Sequence, residues 1–104
     1  MVTKKQSDNE WIEVRRVTDY PQFVNWDEVE VIEGIVVGIR YVEKLGKRVL
    51  EVDTGDEVVS IAETAILKFD PVREFMRVRI ENKGWVKLRN GRRARDLRLY
   101  YKQQ

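Results

Sequence analysis

Apolar and polar residues alternate with a period of two over several stretches of this chain, the signature of strands with one buried face. The cleanest case sets Met76, Val78 and Ile80 against Arg77, Arg79 and Glu81. Residues 29–43 form the longest β-like stretch, with Val31, Ile35, Val37, Ile39 and Tyr41 on one parity, interrupted by Glu33. Ile32, Val36 and Val42 lie on the other parity, with Gly34 and Gly38 between them. A strand apolar on both parities and broken by glycines bends sharply and serves two regions of a curled sheet. Lys44-Leu45-Gly46-Lys47 then reads as a hairpin loop, residues 48–53 as a second strand, and Thr54-Gly55-Asp56 as a turn into a third strand over residues 57–62. Asn82-Lys83-Gly84 reads as a turn or bulge, after which residues 85–88 continue extended. Asn90-Gly91 is a type I′ hairpin signal. In the last strand, residues 93–101, Leu97, Leu99 and Tyr101 share the core parity, and Arg98 and Tyr100 the opposite one.

The periodicity changes between the third and fourth strands. Thr64 is placed to cap a short helix carrying Ala65, Ile66, Leu67 and Phe69, which Asp70-Pro71 stops. Upstream, Trp11–Val17 forms only a weak strand, ended by Tyr20-Pro21, and Phe23, Val24 and Trp26 lead into the sheet. Residues 1–10 read as a flexible polar tail before a single domain over residues 11–104. The fold expected is all-β: a five-stranded Greek-key barrel of the OB type with a short helix between strands 3 and 4. An SH3-like barrel is the nearest alternative, and the helical link favours the OB type.

Composition supports strands and narrows the chemistry. The 104 residues include 16 valines and seven isoleucines but no cysteine or histidine. Disulfides, thiolate nucleophiles, Ser-His couples and zinc sites built on Cys or His are therefore excluded. Asp53-Thr54-Gly55-Asp56-Glu57 lacks the ligand spacing of a calcium loop and reads as an ordinary turn. No Gly-rich phosphate loop is present. The expectation is a non-catalytic protein with no cofactor and no metal. No apolar run reaches the roughly 20 residues of a membrane helix, and the polar start does not suit a secretory signal. A cytoplasmic location follows as an expectation.

Charge gives the sharpest signal. Residues 83–104 carry eight basic groups against Asp96 alone, a net +7, whereas residues 1–82 carry 12 basic and 17 acidic groups, a net −5. Abundant Glu, Arg and Val with 37% charged residues resembles thermophile composition. That accounts for the amount of charge but not for its segregation, which suits a polyanion-binding face. Arginine outnumbers lysine by 12 to 8, and guanidinium groups pair bidentately with phosphate and stack on bases.

From Trp26 to Tyr101 the chain resembles the small OB-fold single-stranded-DNA-binding proteins of phages and related mobile elements. The resemblance rests on Trp26-Asp27, Val31-Ile32-Glu33-Gly34, Thr64 with Leu67, Val78-Arg79-Ile80, Gly91-Arg92, and Leu97 through Tyr100. It departs from cellular single-strand binders by ending in Tyr-Tyr-Lys-Gln-Gln, without an acidic partner-recruiting tail. The resemblance implies binding of single-stranded DNA with little sequence preference, in replication or repair. OB-folds bind between the first hairpin loop and the loop joining strands 4 and 5, here residues 43–47 and 82–93. A single strand needs cations along its phosphates and flat side chains under its bases. The expected site is therefore Trp85, Tyr100 and Tyr41 for stacking, with Lys83, Lys87, Arg89, Arg92, Arg93, Arg95 and Arg98 for phosphate. Lys47 and Arg48 would close the groove from the other side. Trp26 is expected to cover one end of the barrel, Tyr101 to lie in the core, and Tyr41 to be more buried than exposed. Two other readings stay open: an RNA-binding OB module, and a protein-interaction domain that docks an acidic partner.

Overall fold

A computed structural model describes residues 21–102, so the expected tail and the weak strand at Trp11–Val17 lie outside the described residues. Five strands follow in order: β1 (Val31–Val42), β2 (Lys47–Asp53), β3 (Val58–Ala62), β4 (Arg77–Lys87) and β5 (Arg93–Lys102). They form one antiparallel sheet in the order β3-β2-β1-β4-β5. Three hairpin-connected strands followed by a fourth that returns beside the first make a Greek key. The sheet is open, with β3 and β5 at its edges. Residues 22–24 run beside the outer edge of β3, where Phe23 bridges Ser60 in parallel.

The curled first strand is present as the glycines suggested. β1 pairs with β4 through Val31–Ile35 and with β2 through Ile35–Val42, with a bulge between Val36 and Gly38. Gly34 lies at the hand-over. A Cβ built there would fall inside the van der Waals envelope of the Asp53 carbonyl, so the strand can pass only as glycine. The inward parity of the sheet supplies Val36, Leu50, Val52, Val59, Ile61, Val78, Ile80 and Leu97 to the core. Trp26 is half-buried and packs against this cluster.

The expected helix between strands 3 and 4 does not form, and no helix occurs among the described residues. The capping interaction does form: Thr64 Oγ1 accepts hydrogen bonds from the Ile66 and Leu67 amides. Helix propagation fails because the following backbone groups are used locally. Thr64 N donates to the Leu67 carbonyl, Phe69 N donates to Glu63 Oε2, and Val72 N donates to the Phe69 carbonyl. The segment instead lays Leu67, Phe69 and Val72 over the open side of the sheet.

One ion cluster fastens that segment to β2. The Arg48 guanidinium donates to both Glu63 oxygens, at 3.1 and 2.8 Å, and to Asp70 at 2.6 Å. Glu63 also accepts the Arg48 and Phe69 amides. These donors, Arg48 first, hold the Glu63 carboxyl down to about 2 against the opposing effect of burial. A depressed acid contributes stability above its unfolded value, near 4.5, and loses it as pH falls toward 2. At about 1.4 kcal/mol per unit, with a reduction for the part-exposed Arg48, the contribution is about 2 kcal/mol. Glu63→Gln should therefore lower the unfolding free energy at pH 7 by about that amount. It should also flatten the acid limb of the stability profile below pH 5, and denaturant midpoints across pH would read both.

Among the described residues no helix is long and apolar enough to cross a membrane, and no cluster of acidic side chains could hold a metal.

Candidate nucleic-acid interface

β4 and β5 continue past the end of β1 as a two-stranded hairpin. β1 pairs with β4 only as far as Glu81, while β4 and β5 stay paired out to Lys87 and Arg93. Two residues of β4, Lys83 and Gly84, oppose Asp96 alone in a bulge, with Gly84 at φ 98°. Asn82 anchors this bulge. Its amide donates to the Trp26 and Val29 carbonyls at 2.8 and 3.2 Å, and its Oδ1 accepts the Gly84 amide. The 26–29 loop is thereby held against the base of the hairpin.

The tip departs from the type I′ turn expected of Asn90-Gly91. That turn needs positive φ at both residues, and only Gly91, at 84°, has it. Gly91 N donates to the Leu88 carbonyl and Leu88 N to the Arg92 carbonyl, leaving a three-residue loop with glycine at the left-handed position. Arg89 thus sits at the tip rather than in the strand, so it does not follow the Trp85 and Lys87 parity.

Beyond the bulge, Trp85 faces Arg95 and Lys87 faces Arg93 across the strands. On β5, Arg93 and Arg95 share parity with Leu97, so this quartet extends the core-facing side of the sheet outward, past the core itself. The Arg95 guanidinium lies 4.1 Å and that of Arg93 5.0 Å from the centre of the Trp85 ring. Both cations come from β5, and the ring is 52% exposed. Arg95 is also paired with Asp27 on the anchored loop. It is therefore fixed between an indole and a carboxylate, an arrangement that holds the ring upright.

The cations of the expected site fall into two classes. Lys83 is paired with Glu81, Arg95 with Asp27, Arg98 with Asp96, and Arg48 with Glu63 and Asp70. The hydrogen bonds Arg48 donates to Glu63 and Asp70 raise its pKa, and those Arg98 donates to Asp96 raise that of Arg98. Lys87, Arg89, Arg92, Arg93 and Lys47 make no ion pair among the described residues. Four of these five are on the hairpin. Like charges placed directly opposite each other destabilise a sheet, so the Lys87–Arg93 pairing costs folding stability that only the Arg93 contact with the Trp85 ring offsets.

The structure separates the remaining expected residues. Tyr100 faces Arg79, and Arg98 faces Glu81, on the outer face of the sheet, opposite the Trp85 group. Tyr41 faces Arg48 at the far hairpin and is exposed, against the expectation of burial, as is Tyr101. Tyr101 reaches the inward face only where the sheet's edge leaves it uncovered. Sequence reasoning missed Asp27 as the partner of Arg95, a contact spanning 68 residues with no local signal. No protein-family model, curated protein or solved structure matches this chain.

Proposed function

We propose that this protein binds single-stranded DNA without catalysis and with little sequence preference, as a component of DNA replication or repair. The observation that carries the reading is Lys87 set opposite Arg93, neither neutralised, beside a half-exposed Trp85. Phosphate supplies the missing counter-charge, and unpaired bases stack on the part of the ring left exposed. The strand order supports an OB-type barrel, which has this order when opened between β3 and β5; residues 22–24 here lie along the outer edge of β3. The β4–β5 hairpin then occupies the position at which such barrels take oligonucleotides.

A fluorescence titration with a mixed-sequence single strand, a matched duplex and an RNA version tests the proposal. Single-stranded DNA should quench Trp85 and bind most tightly. Preference for duplex, or no binding at low salt, would refute the reading, and tighter RNA binding would move it to the RNA module. With four unpaired hairpin cations in contact, log K should fall against log salt with a slope of about −3, at roughly 0.7 per phosphate. Trp85→Ala should cost about 1–3 kcal/mol of binding while circular dichroism stays unchanged.

A further inference from the structure

We propose that Phe75 is a second stacking platform for the same DNA strand, with Arg77 and Lys102 as its phosphate clamp; this deepens the single-strand reading and rests on it. Phe75 occupies a backbone position that its side chain disfavours. Arg73 to Met76 forms a turn closed by Met76 N donating to the Arg73 carbonyl. Phe75 is its third residue, at φ 69°. Turns with positive φ at that position call for glycine or asparagine, and a bulky residue there is an outlier. The phenyl group gains no burial in return: it is 64% exposed and stands outside the core cluster.

The backbone around it is firmly held. Phe75 N donates to the Val36 carbonyl at 2.7 Å, Val36 N donates to the Met76 carbonyl, and the Arg73 guanidinium donates to the Asp70 and Val72 carbonyls. A rigid support that presents an exposed ring in a strained conformation is a feature of recognition sites.

The charge beside it repeats the arrangement of the hairpin. Arg77, two residues on, lies directly opposite Lys102 of β5. Neither makes an ion pair among the described residues. In the same cross-strand row the nearest acid, Asp53, stands beyond Ile35 and accepts the Gly55 amide. Each end of β4 therefore carries an exposed aromatic and an unneutralised cross-strand cation pair: Trp85 with Lys87 and Arg93, Phe75 with Arg77 and Lys102. Parity places Arg77 and Lys102 on the outer face of the sheet, and the bulge places Lys87 and Arg93 on the inward one, so a strand that meets both pairs passes over the free edge of β5, which contributes one cation to each.

The test compares Phe75→Gly and Phe75→Trp with wild type on a 6-nucleotide and a 20-nucleotide single strand. Phe75→Gly suits the turn, so its Tm should stay level or rise, which separates binding from folding. The expected result is a loss of roughly 10-fold in affinity for the 20-mer, little change for the 6-mer held at Trp85, and retained affinity in Phe75→Trp. Arg77→Gln with Lys102→Gln should make the 20-mer salt slope shallower by about 1.4. Wild-type 20-mer affinity in Phe75→Gly, with Trp85→Ala still impaired, would overturn this inference and leave the hairpin site standing. Absence of single-strand binding by the wild-type chain would overturn both.

Discussion

Gly34→Ala should cost about 4 kcal/mol of folding stability, the largest single-site effect expected outside the interface. The added methyl would meet the carbonyl oxygen and carbon of Asp53 and the Cα of Thr54, all backbone. No flexible side chain is there to swing aside, so either β1 or the β2–β3 turn must shift. Both are paired at this point, Gly34 with Val78 and Asp53 with Ile35. A shift therefore breaks ladder hydrogen bonds as well as packing. Domains of this size hold roughly 5–15 kcal/mol in reserve, so the variant should be marginal or unfolded at moderate temperature. Gly55→Ala is the control. It has open space around it but φ of 96°, and should lose only about 1–2 kcal/mol through backbone strain. Chemical denaturation of the pair, read by intrinsic fluorescence, would decide the matter. A Gly34→Ala midpoint no lower than that of Gly55→Ala would mean that the curl of β1 tolerates a side chain.

That curl was legible in the sequence because it depends on residue types with few alternative explanations. Glycines inside a strand that is apolar on both parities leave little but a bend shared between two pairings. The bulge at Lys83-Gly84 was legible for the same reason. The link from residue 63 to 76 was not. A capping threonine and an apolar cluster point to a helix there, but a cap supplies partners for only the first amides. What decides the outcome is the carboxylate of Glu63, which accepts the Phe69 amide and is itself held by Arg48 from a different strand. Tertiary partners of that kind leave no periodic trace. The candidate site shows the same division. Its charge and its indole could be read from one continuous segment, whereas the assignment of side chains to faces depended on bulge register and loop type. One bulge is enough to place Trp85 with Arg93 and Arg95, and to put Tyr100 and Arg98 on the other side. Phe75 carried no signal at all, since Arg-Glu-Phe-Met contains no residue that announces a turn with positive φ.

Reversing the two facing cations, Lys87→Glu with Arg93→Glu, should weaken single-strand binding by more than 100-fold at 0.1 M salt. Losing two phosphate contacts accounts for about 1.4 log units at that concentration, at roughly 0.7 per contact and decade of salt. Two carboxylates facing the DNA backbone then add repulsion at the same points. The neutral pair, Lys87→Gln with Arg93→Gln, isolates the first effect and should fall near 25-fold, with the salt slope shallower by about 1.4. Stability should change little in the neutral pair, because relief of the like-charge contact between directly opposed residues is offset by loss of the Arg93 contact with the Trp85 ring. Among the described residues neither side chain makes an ion pair that would be lost. Facing cations that serve the ligand should show this signature: the neutral double variant unfolds near the wild-type denaturant concentration and binds worse. If it unfolds earlier and binds equally well, the facing cations serve the fold, and the hairpin is not where the nucleic acid lies.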